Sequence, residues 1–365
     1  MLLLSFEVSA QSSGDKDIRI GAYYFDGWTN ITTQNFVYLT PALLRDSERE
    51  PVWGWITSTQ SIVDSQIVVA AEAGIDFFCF DWYYLNGTSN IPLNHALGLY
   101  LNSPYKSRLR FCLNVVTSEP FLIAPNNWDA VTKEWLNLFK DPSYVTVDGN
   151  PLLIFFDVNG LIKAFGSGQA VREAFDSLRL KAKQEGLKGV TIAGCAFPND
   201  MTWWDTSYTK ERTISIAKSC GFDALTGYNY AGVAFTPGDT VTTSRPIERL
   251  LSGEIGVWNQ FRNSGLPYIP VGTLNWDPRP WSVYEPPVIH YYVGYSASSV
   301  YNTIMYLYQW IKNNPNETTK EHIALLYAWN EYGEGGWLSP SKALGDSLLQ
   351  GLKRALLQIR SRGTR

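Results

Sequence analysis

The stretch Leu325-Leu326-Tyr327-Ala328-Trp329-Asn330-Glu331-Tyr332-Gly333-Glu334-Gly335-Gly336-Trp337 decides how the chain is read. Ile323 to Ala328 is a short, continuous apolar run that ends in breakers, which is the pattern of a strand buried on both faces. Such strands belong to parallel sheets covered by helices. Directly after the run stand Glu331 and Glu334, three residues apart. In an extended strand that odd spacing sends two side chains to opposite faces. Gly333, Gly335 and Gly336 release the chain from strand geometry here. Both carboxylates can then turn into one cleft, with Trp329, Tyr332 and Trp337 around them. Paired carboxylates beside aromatic rings are the equipment of glycoside chemistry, in which one acid is protonated and its partner ionised. The competing reading is a glycine-rich loop carrying two solvated acids.

The rest of the chain favours the first reading. Apolar strand-like runs recur at Ile18 to Phe25, Ile75 to Trp82, Arg110 to Val116, Leu152 to Phe156, Val190 to Ala196, Phe222 to Tyr228, Tyr268 to Leu274 and the run into Glu331. Helix-like segments lie between them, the clearest near Thr59 to Ala73, Gly168 to Glu185, Pro246 to Phe261, Ser298 to Lys312 and Lys342 to Ile359. Gly74 is placed to end the first of these as a C-terminal cap. Eight strands alternating with helices predict a single (β/α)8 barrel with long loops after its strands. The strand ends carry polar and aromatic residues, and in a barrel those ends converge on one pocket. They read Tyr24/Asp26, Asp81/Trp82, Asn114/Glu119, Asp157, Asn199, Tyr228/Asn229, Trp276/Asp277 and Asn330/Glu331. Asp148-Gly149 predicts a hairpin turn ahead of the fourth strand.

Composition sets the outer limits. The chain has 365 residues, 45% of them hydrophobic, ample for a large core. Its formal charge of −4 and the lack of a basic cluster argue against nucleic acid or an anionic membrane as partner. There are 14 Trp, 21 Tyr and 17 Phe, many in polar loops, which suits stacking on sugar rings. The 3 histidines show no metal-ligand spacing, and no phosphate-binding glycine loop or G-x-S-x-G elbow is present, so no metal or cofactor is expected. The 4 cysteines, Cys79, Cys112, Cys195 and Cys220, form no C-x-x-C pair and read as buried free thiols. No run of 18 apolar residues predicts a membrane span. Residues 1–11 resemble the tail of a truncated secretion signal, with Val8-Ser9-Ala10 as the small-residue end. Residues 12–365 are then the barrel, expected to be a secreted or periplasmic monomer.

Five motifs in register also resemble a known family. Trp329 to Pro340 resembles the W-N-E-W-x-E-G-x-x-x-E-P signature of the endo-α-mannosidase-like glycoside hydrolases of family 99 and their WbsX-type polysaccharide-locus relatives. Gly21-Ala22-Tyr23-Tyr24, Ala73 to Trp82, Tyr144 to Leu153 and Asn275 to Pro280 are similar to further motifs of that family, in the expected order. Ser339 stands where the signature ends in Glu, and Tyr332-Gly333 replace its Trp-His-like middle. The resemblance implies a (β/α)8 barrel and metal-independent, retaining hydrolysis of an α-linked glycan, with mannose as one candidate sugar. It implies that Glu331 acts as base on the substrate 2-hydroxyl, through an epoxide-like intermediate, and that Glu334 is general acid and then base.

The residues expected to bind the oligosaccharide or polysaccharide are Tyr24, Asp81, Trp82, Tyr228, Asn229, Trp276, Asp277, Arg279, Trp329, Asn330, Tyr332 and Trp337. Each has a plainer reading. Asp277 and Arg279 can form a structural ion pair, Tyr24 and Tyr228 can be barrel core, and Asp at a strand end often caps the next turn. Trp203 and Trp204 can form a rim for a longer glycan or pack under a loop. Two other functions compete: a glycosyltransferase of polysaccharide assembly, and a glycan-binding barrel without catalysis. The first lacks a visible grip for a nucleotide phosphate; the second has no need for both Glu331 and Glu334.

Overall fold

The computed structural model describes residues 18–29, 38–196, 209–236, 238–239, 241–281 and 289–363. Its centre is a ring of parallel strands: β1 (Arg19–Tyr24), β2 (Phe77–Trp82), β3 (Arg110–Val115), β4 (Asn150–Phe155), β5 (Thr191–Cys195), β6 (Ala224–Thr226), β7 (Val271–Thr273) and β8 (Ile323–Tyr327). Hydrogen-bonded neighbours run β6-β5-β4-β3-β2-β1-β8-β7. The gap between β6 and β7 is bridged at Leu225 and Tyr268, where the Ile269 amide donates to the Leu225 carbonyl at 2.8 Å. The expected (β/α)8 barrel is present. β6 and β7 are shorter than their apolar runs, because the chain is paired only where neighbouring strands reach it.

Nine helices among the described residues clothe the barrel: α1 (Gln60–Ala73), α2 (His95–Leu101), α3 (Trp128–Phe139), α4 (Val158–Phe165), α5 (Gly168–Gln184), α6 (Lys210–Cys220), α7 (Ile247–Gln260), α8 (Ala297–Asn313) and α9 (Ser347–Gly363). Sequence periodicity predicts one helix after β4, but the structure has two. The extra one, α4, is capped by Asp157, whose side chain accepts from the Gly160 amide at 2.9 Å. Gly74 adopts φ 99° and closes α1 as expected. Asp148 and Gly149, at φ 51° and 77°, turn the antiparallel pair Thr146–Val147 and Asn150–Pro151.

Strand alternation divides the aromatic residues into two layers. Tyr23 points into the barrel, where its ring lies 4.7 Å from that of Tyr228. Tyr24 points the other way and packs on Phe78 and Phe80, between the strands and the helices. All four cysteines are buried and free. Among the described residues no helix is long and apolar enough to cross a membrane.

Candidate active site

The chain beyond β8 builds the site. Asn330–Glu331 pairs antiparallel with Gly336–Trp337, so Glu331 sits in a short strand and Glu334 on the turn that links it to its partner. Gly335 makes that turn at φ +81°, and a Cβ there would lie 2.8 Å from the Asp277 nitrogen. A Cβ on Gly336 would meet the Tyr327 ring at 2.6 Å. The glycines thus serve both conformation and close packing, and they bring both carboxylates to the C-terminal mouth of the barrel.

Three buried or largely buried acids meet there. Tyr228, just past β6, has its hydroxyl 2.7 Å from Asp81 Oδ2 and 2.7 Å from Glu331 Oε1. Asn114 Nδ2 donates to Asp81 Oδ1 at 2.8 Å, using the β2–β3 register that sets Asp81 opposite Asn114. The Tyr327 hydroxyl donates to Glu334 Oε2. Glu331 Oε2 is buried without a hydrogen-bond partner. Desolvation pushes Asp81 up to about 7 and Glu334 up to about 7. Glu331 is raised well above the usual carboxylate range by desolvation first, then by the charges of Glu334 and Asp81. Two carboxyls driven apart, one high and one low, were expected; instead all three are raised, each first by desolvation. No group of three or more His, Cys, Asp or Glu among the described residues is arranged to hold a metal ion.

The structure sorts the predicted site residues into those that meet and those that do not. Asp81, Tyr228, Glu331 and Glu334 meet. Trp276 is part-exposed and lies 6.4 Å from the Tyr327 ring, and Trp281 packs beside Gly333 and 6.3 Å from Tyr38. Asn229 stays at the mouth but uses its side chain locally, accepting from the Ala231 amide.

Several expectations are corrected. Tyr24 and Trp82 face the helix layer, because each follows an inward residue on its strand. Trp82 packs on Tyr84 and Trp135. Trp329 also points outward, where its Nε1 donates to Gln66 of α1 at 2.6 Å. Tyr332 is buried under Trp28 and Trp55, and Trp337 under Tyr295. The walls that desolvate the acids are therefore tyrosines rather than Trp329 and Trp337. Asn330 is a clamp: its amide accepts from the Phe25 nitrogen at 2.9 Å and donates to the Phe25 carbonyl at 2.7 Å. Asp277 is not free for sugar hydroxyls. Its oxygens are taken by Arg279 Nε at 2.7 Å, Arg279 Nη2 at 2.8 Å and Arg49 Nη2 at 2.6 Å, and these charges hold it below the usual range. Trp203, Trp204 and Asn199 lie outside the described residues, as do residues 1–11.

Sequence reasoning missed Tyr23, Tyr83, Tyr327 and Arg49. Tyr83 follows Trp82 and faces the acids, with Asp81 and Glu331 among the charges acting on it. Arg49, only 4% exposed, comes from the long loop after β1 and donates to the carbonyls of Asp277 at 2.8 Å and Tyr332 at 3.1 Å. Nothing local in the sequence marks Arg49 or Tyr83; Tyr23 and Tyr327 had a signal in their inward parity on β1 and β8.

A family model described as Glycosyltransferase WbsX matches residues 55–352. The chain belongs to the WbsX family. No curated protein matches this WbsX-family sequence. Among solved structures, the GH99 endo-alpha-mannosidase from Bacteroides thetaiotaomicron superposes with a TM-score of 0.62 at 13% identity, over 96% of this chain and 99% of that one, in its complex with bis-tris-propane. The same enzyme without that ligand gives 0.61. A glycoside hydrolase-like protein gives 0.61 at 16% identity, covering 93% of this chain and 94% of that one. At these identities the likeness is one of fold.

Proposed function

We propose that this WbsX-family protein is a glycoside hydrolase that cleaves an α-linked glycan with retention, and that mannose is a candidate sugar. One observation carries the reading: Glu331 and Glu334 sit on one glycine-turned hairpin at the barrel mouth, largely withdrawn from water and in no ion pair among the described residues. Glu334, pushed up to about 7, carries a proton near neutral pH and can give it to the leaving oxygen. Glu331 takes the proton of the substrate 2-hydroxyl; that oxygen closes on the anomeric carbon as the glycosidic bond breaks. Water then opens the epoxide-like intermediate, losing a proton to Glu334, while Glu331 returns its proton to the 2-oxygen. Two inversions at one carbon give net retention. The fold shared with an endo-alpha-mannosidase supports this assignment. The reading of residues 1–11 as an export signal supports action outside the cytoplasm.

The family's transferase description favours a second reading, in which the same barrel moves sugar onto a growing polysaccharide. One experiment separates them. Wild type and Glu334→Gln are incubated with a panel of α-linked glycans, and with nucleotide-sugar donors plus glycan acceptors, and products are followed by mass spectrometry and anomeric NMR. Hydrolysis with retained configuration, reduced about 10²- to 10⁴-fold in Glu334→Gln, is the expected result. Donor-dependent extension without hydrolysis would replace it with the transferase. Glycan binding equal in both proteins, with no turnover of either kind, would make the barrel a binding protein.

A further inference from the structure

The Tyr228 hydroxyl carries one hydrogen, yet it makes two contacts of 2.7 Å, to Asp81 Oδ2 and to Glu331 Oε1. Each contact between buried oxygens at that distance needs a hydrogen between them. Tyr228 supplies one. The other belongs to a carboxyl. Without it, two buried carboxylates, in no ion pair among the described residues, would compete for the single Tyr228 hydrogen, an arrangement resolved elsewhere by two acids sharing a proton. We propose that Asp81 and Glu331 hold one proton between them across Tyr228 Oη, and that Asp81 is the positioning residue that takes this proton when a substrate hydroxyl claims Glu331 Oε2. The inference rests on the reading of Glu331 as the base.

The surroundings supply both end states. With the proton on Glu331, Tyr228 donates to Asp81, whose two oxygens then receive Tyr228 and Asn114. With the proton on Asp81, the direction of both bonds reverses: Asp81 donates to Tyr228, and Tyr228 donates to Glu331. The exchange moves one proton from Glu331 to Tyr228 and the tyrosine's own proton to Asp81, so the net charge of the trio does not change. Glu331 Oε2, buried and without a partner, is the oxygen left to receive a substrate hydroxyl. A hydroxyl donating there stabilises the ionised form of Glu331 and drives the proton to Asp81. The free site keeps its base neutral; the occupied site ionises it.

The titratable groups facing this trio come from every side. They are Tyr23 on β1, Tyr38 in the loop after β1, Cys79 on β2 and Tyr83 beyond it, Cys195 on β5, Tyr327 on β8 and Glu334 on the hairpin. Burial holds the tyrosines and cysteines neutral, as each is raised above its ordinary value, so Glu334 is the one further group of this set that titrates near neutral pH.

The test uses the full chain and two readouts. The first is the pH profile of glycan hydrolysis. Asp81→Asn cannot accept a proton; its amide donates to Tyr228 while its oxygen still accepts from Asn114, so Tyr228 points permanently at Glu331. The acid limb of kcat/KM is expected to fall by about one pH unit or more, with KM within about twofold. Tyr228→Phe keeps both acids but removes the one side-chain donor to Glu331 among the described residues, and its acid limb is expected to rise. Opposite shifts in the two variants are the signature. An acid limb identical to wild type in Asp81→Asn overturns the inference, as does a large rise in KM with an unmoved limb, which would make Asp81 a direct substrate ligand. The second readout is a carboxyl ¹³C NMR titration of the free protein. Asp81 and Glu331 are expected to titrate as a coupled pair in wild type, and Glu331 alone, at lower pH, in Asp81→Asn. Glycan cleavage with a Glu331 titration unchanged by Asp81→Asn sinks the shared proton and leaves the hydrolase standing. Coupled titration in a protein that cleaves no glycan does the reverse.

Discussion

Glu334 is tuned by a single tyrosine. Desolvation raises its carboxyl to about 7, and the hydrogen bond from Tyr327 is the opposing, lowering influence. Tyr327→Phe removes that influence, so the Glu334 carboxyl rises further. A general acid must be protonated, so the alkaline limb of kcat/KM is expected to move to higher pH, by about one unit. A limb that stays in place or moves down would show that Glu334 is not the group it reports. Asp277 makes the opposite case. Its position after β7 reads like a sugar ligand, but two arginines occupy its oxygens, and its chemistry is that of a brace.

At the scale of the element, the hairpin after β8 is held from two directions. Asn330 ties it to the end of β1 through both bonds to Phe25, and Trp28 Nε1 donates to the Asn330 carbonyl at 2.8 Å. From the other side Arg49 and Asp277 grip the turn, with the Asp277 amide donating to the Glu334 carbonyl at 2.7 Å. Arg49→Met breaks a buried ion pair while Arg279 stays on Asp277, so a loss of roughly 3 kcal/mol in stability is expected, checked by chemical denaturation. Gly335→Ala meets both a positive φ and the Asp277 backbone at 2.8 Å. It is expected to cost about 1–3 kcal/mol and to lower kcat by more than the loss of folded protein accounts for, because the turn that aims Glu334 must shift. Full kcat in a folded Gly335→Ala protein would show that the turn has slack.

Across the whole molecule, buried acids set the pH dependence of stability. Asp81 and Glu334 are raised to about 7, Asp26 to about 6, and Glu331 and Glu254 are raised as well, all chiefly by desolvation. Below the unfolded value, near 4, both states are protonated and these groups contribute nothing. As pH climbs from there to about 7 the unfolded chain ionises, while the folded one keeps its protons on Asp26, Glu334 and Glu254 and one on the Asp81–Glu331 pair, so stability falls across that window. Asp277 works in the other direction: it is lowered, and its contribution disappears only as pH drops below the usual carboxylate range. Stability is therefore expected to peak near pH 4–5, and Asp81→Asn is expected to flatten the fall. Because the Asp81–Glu331 pair keeps a proton that two unfolded carboxyls would lose, the difference between the Asp81→Asn protein and wild type should grow as pH climbs from about 4 to about 7. Parallel curves for the two proteins, measured by urea unfolding at a series of pH values, would show that Asp81 does not help the fold keep the pair's proton.

The sequence by itself determined the barrel and the place of its chemistry. Apolar runs such as Phe77 to Phe80 and Ile323 to Tyr327 mark buried strands, and glycines at 333, 335 and 336 mark where the last one turns and brings Glu331 and Glu334 together. These are local signals, fixed by periodicity and backbone freedom. What only the tertiary structure decided is which side each ring faces and which acids share a neighbour. Trp329 and Tyr332 look like a sugar platform in sequence, yet the strand ends at Tyr327 and they turn to α1 and to the loop after β1. Asp81, Tyr228 and Glu331 are 147 and 103 residues apart across the tyrosine. Only closure of the barrel sets one hydroxyl between two carboxyls, and only the exclusion of water by the packed mouth makes their protons worth sharing.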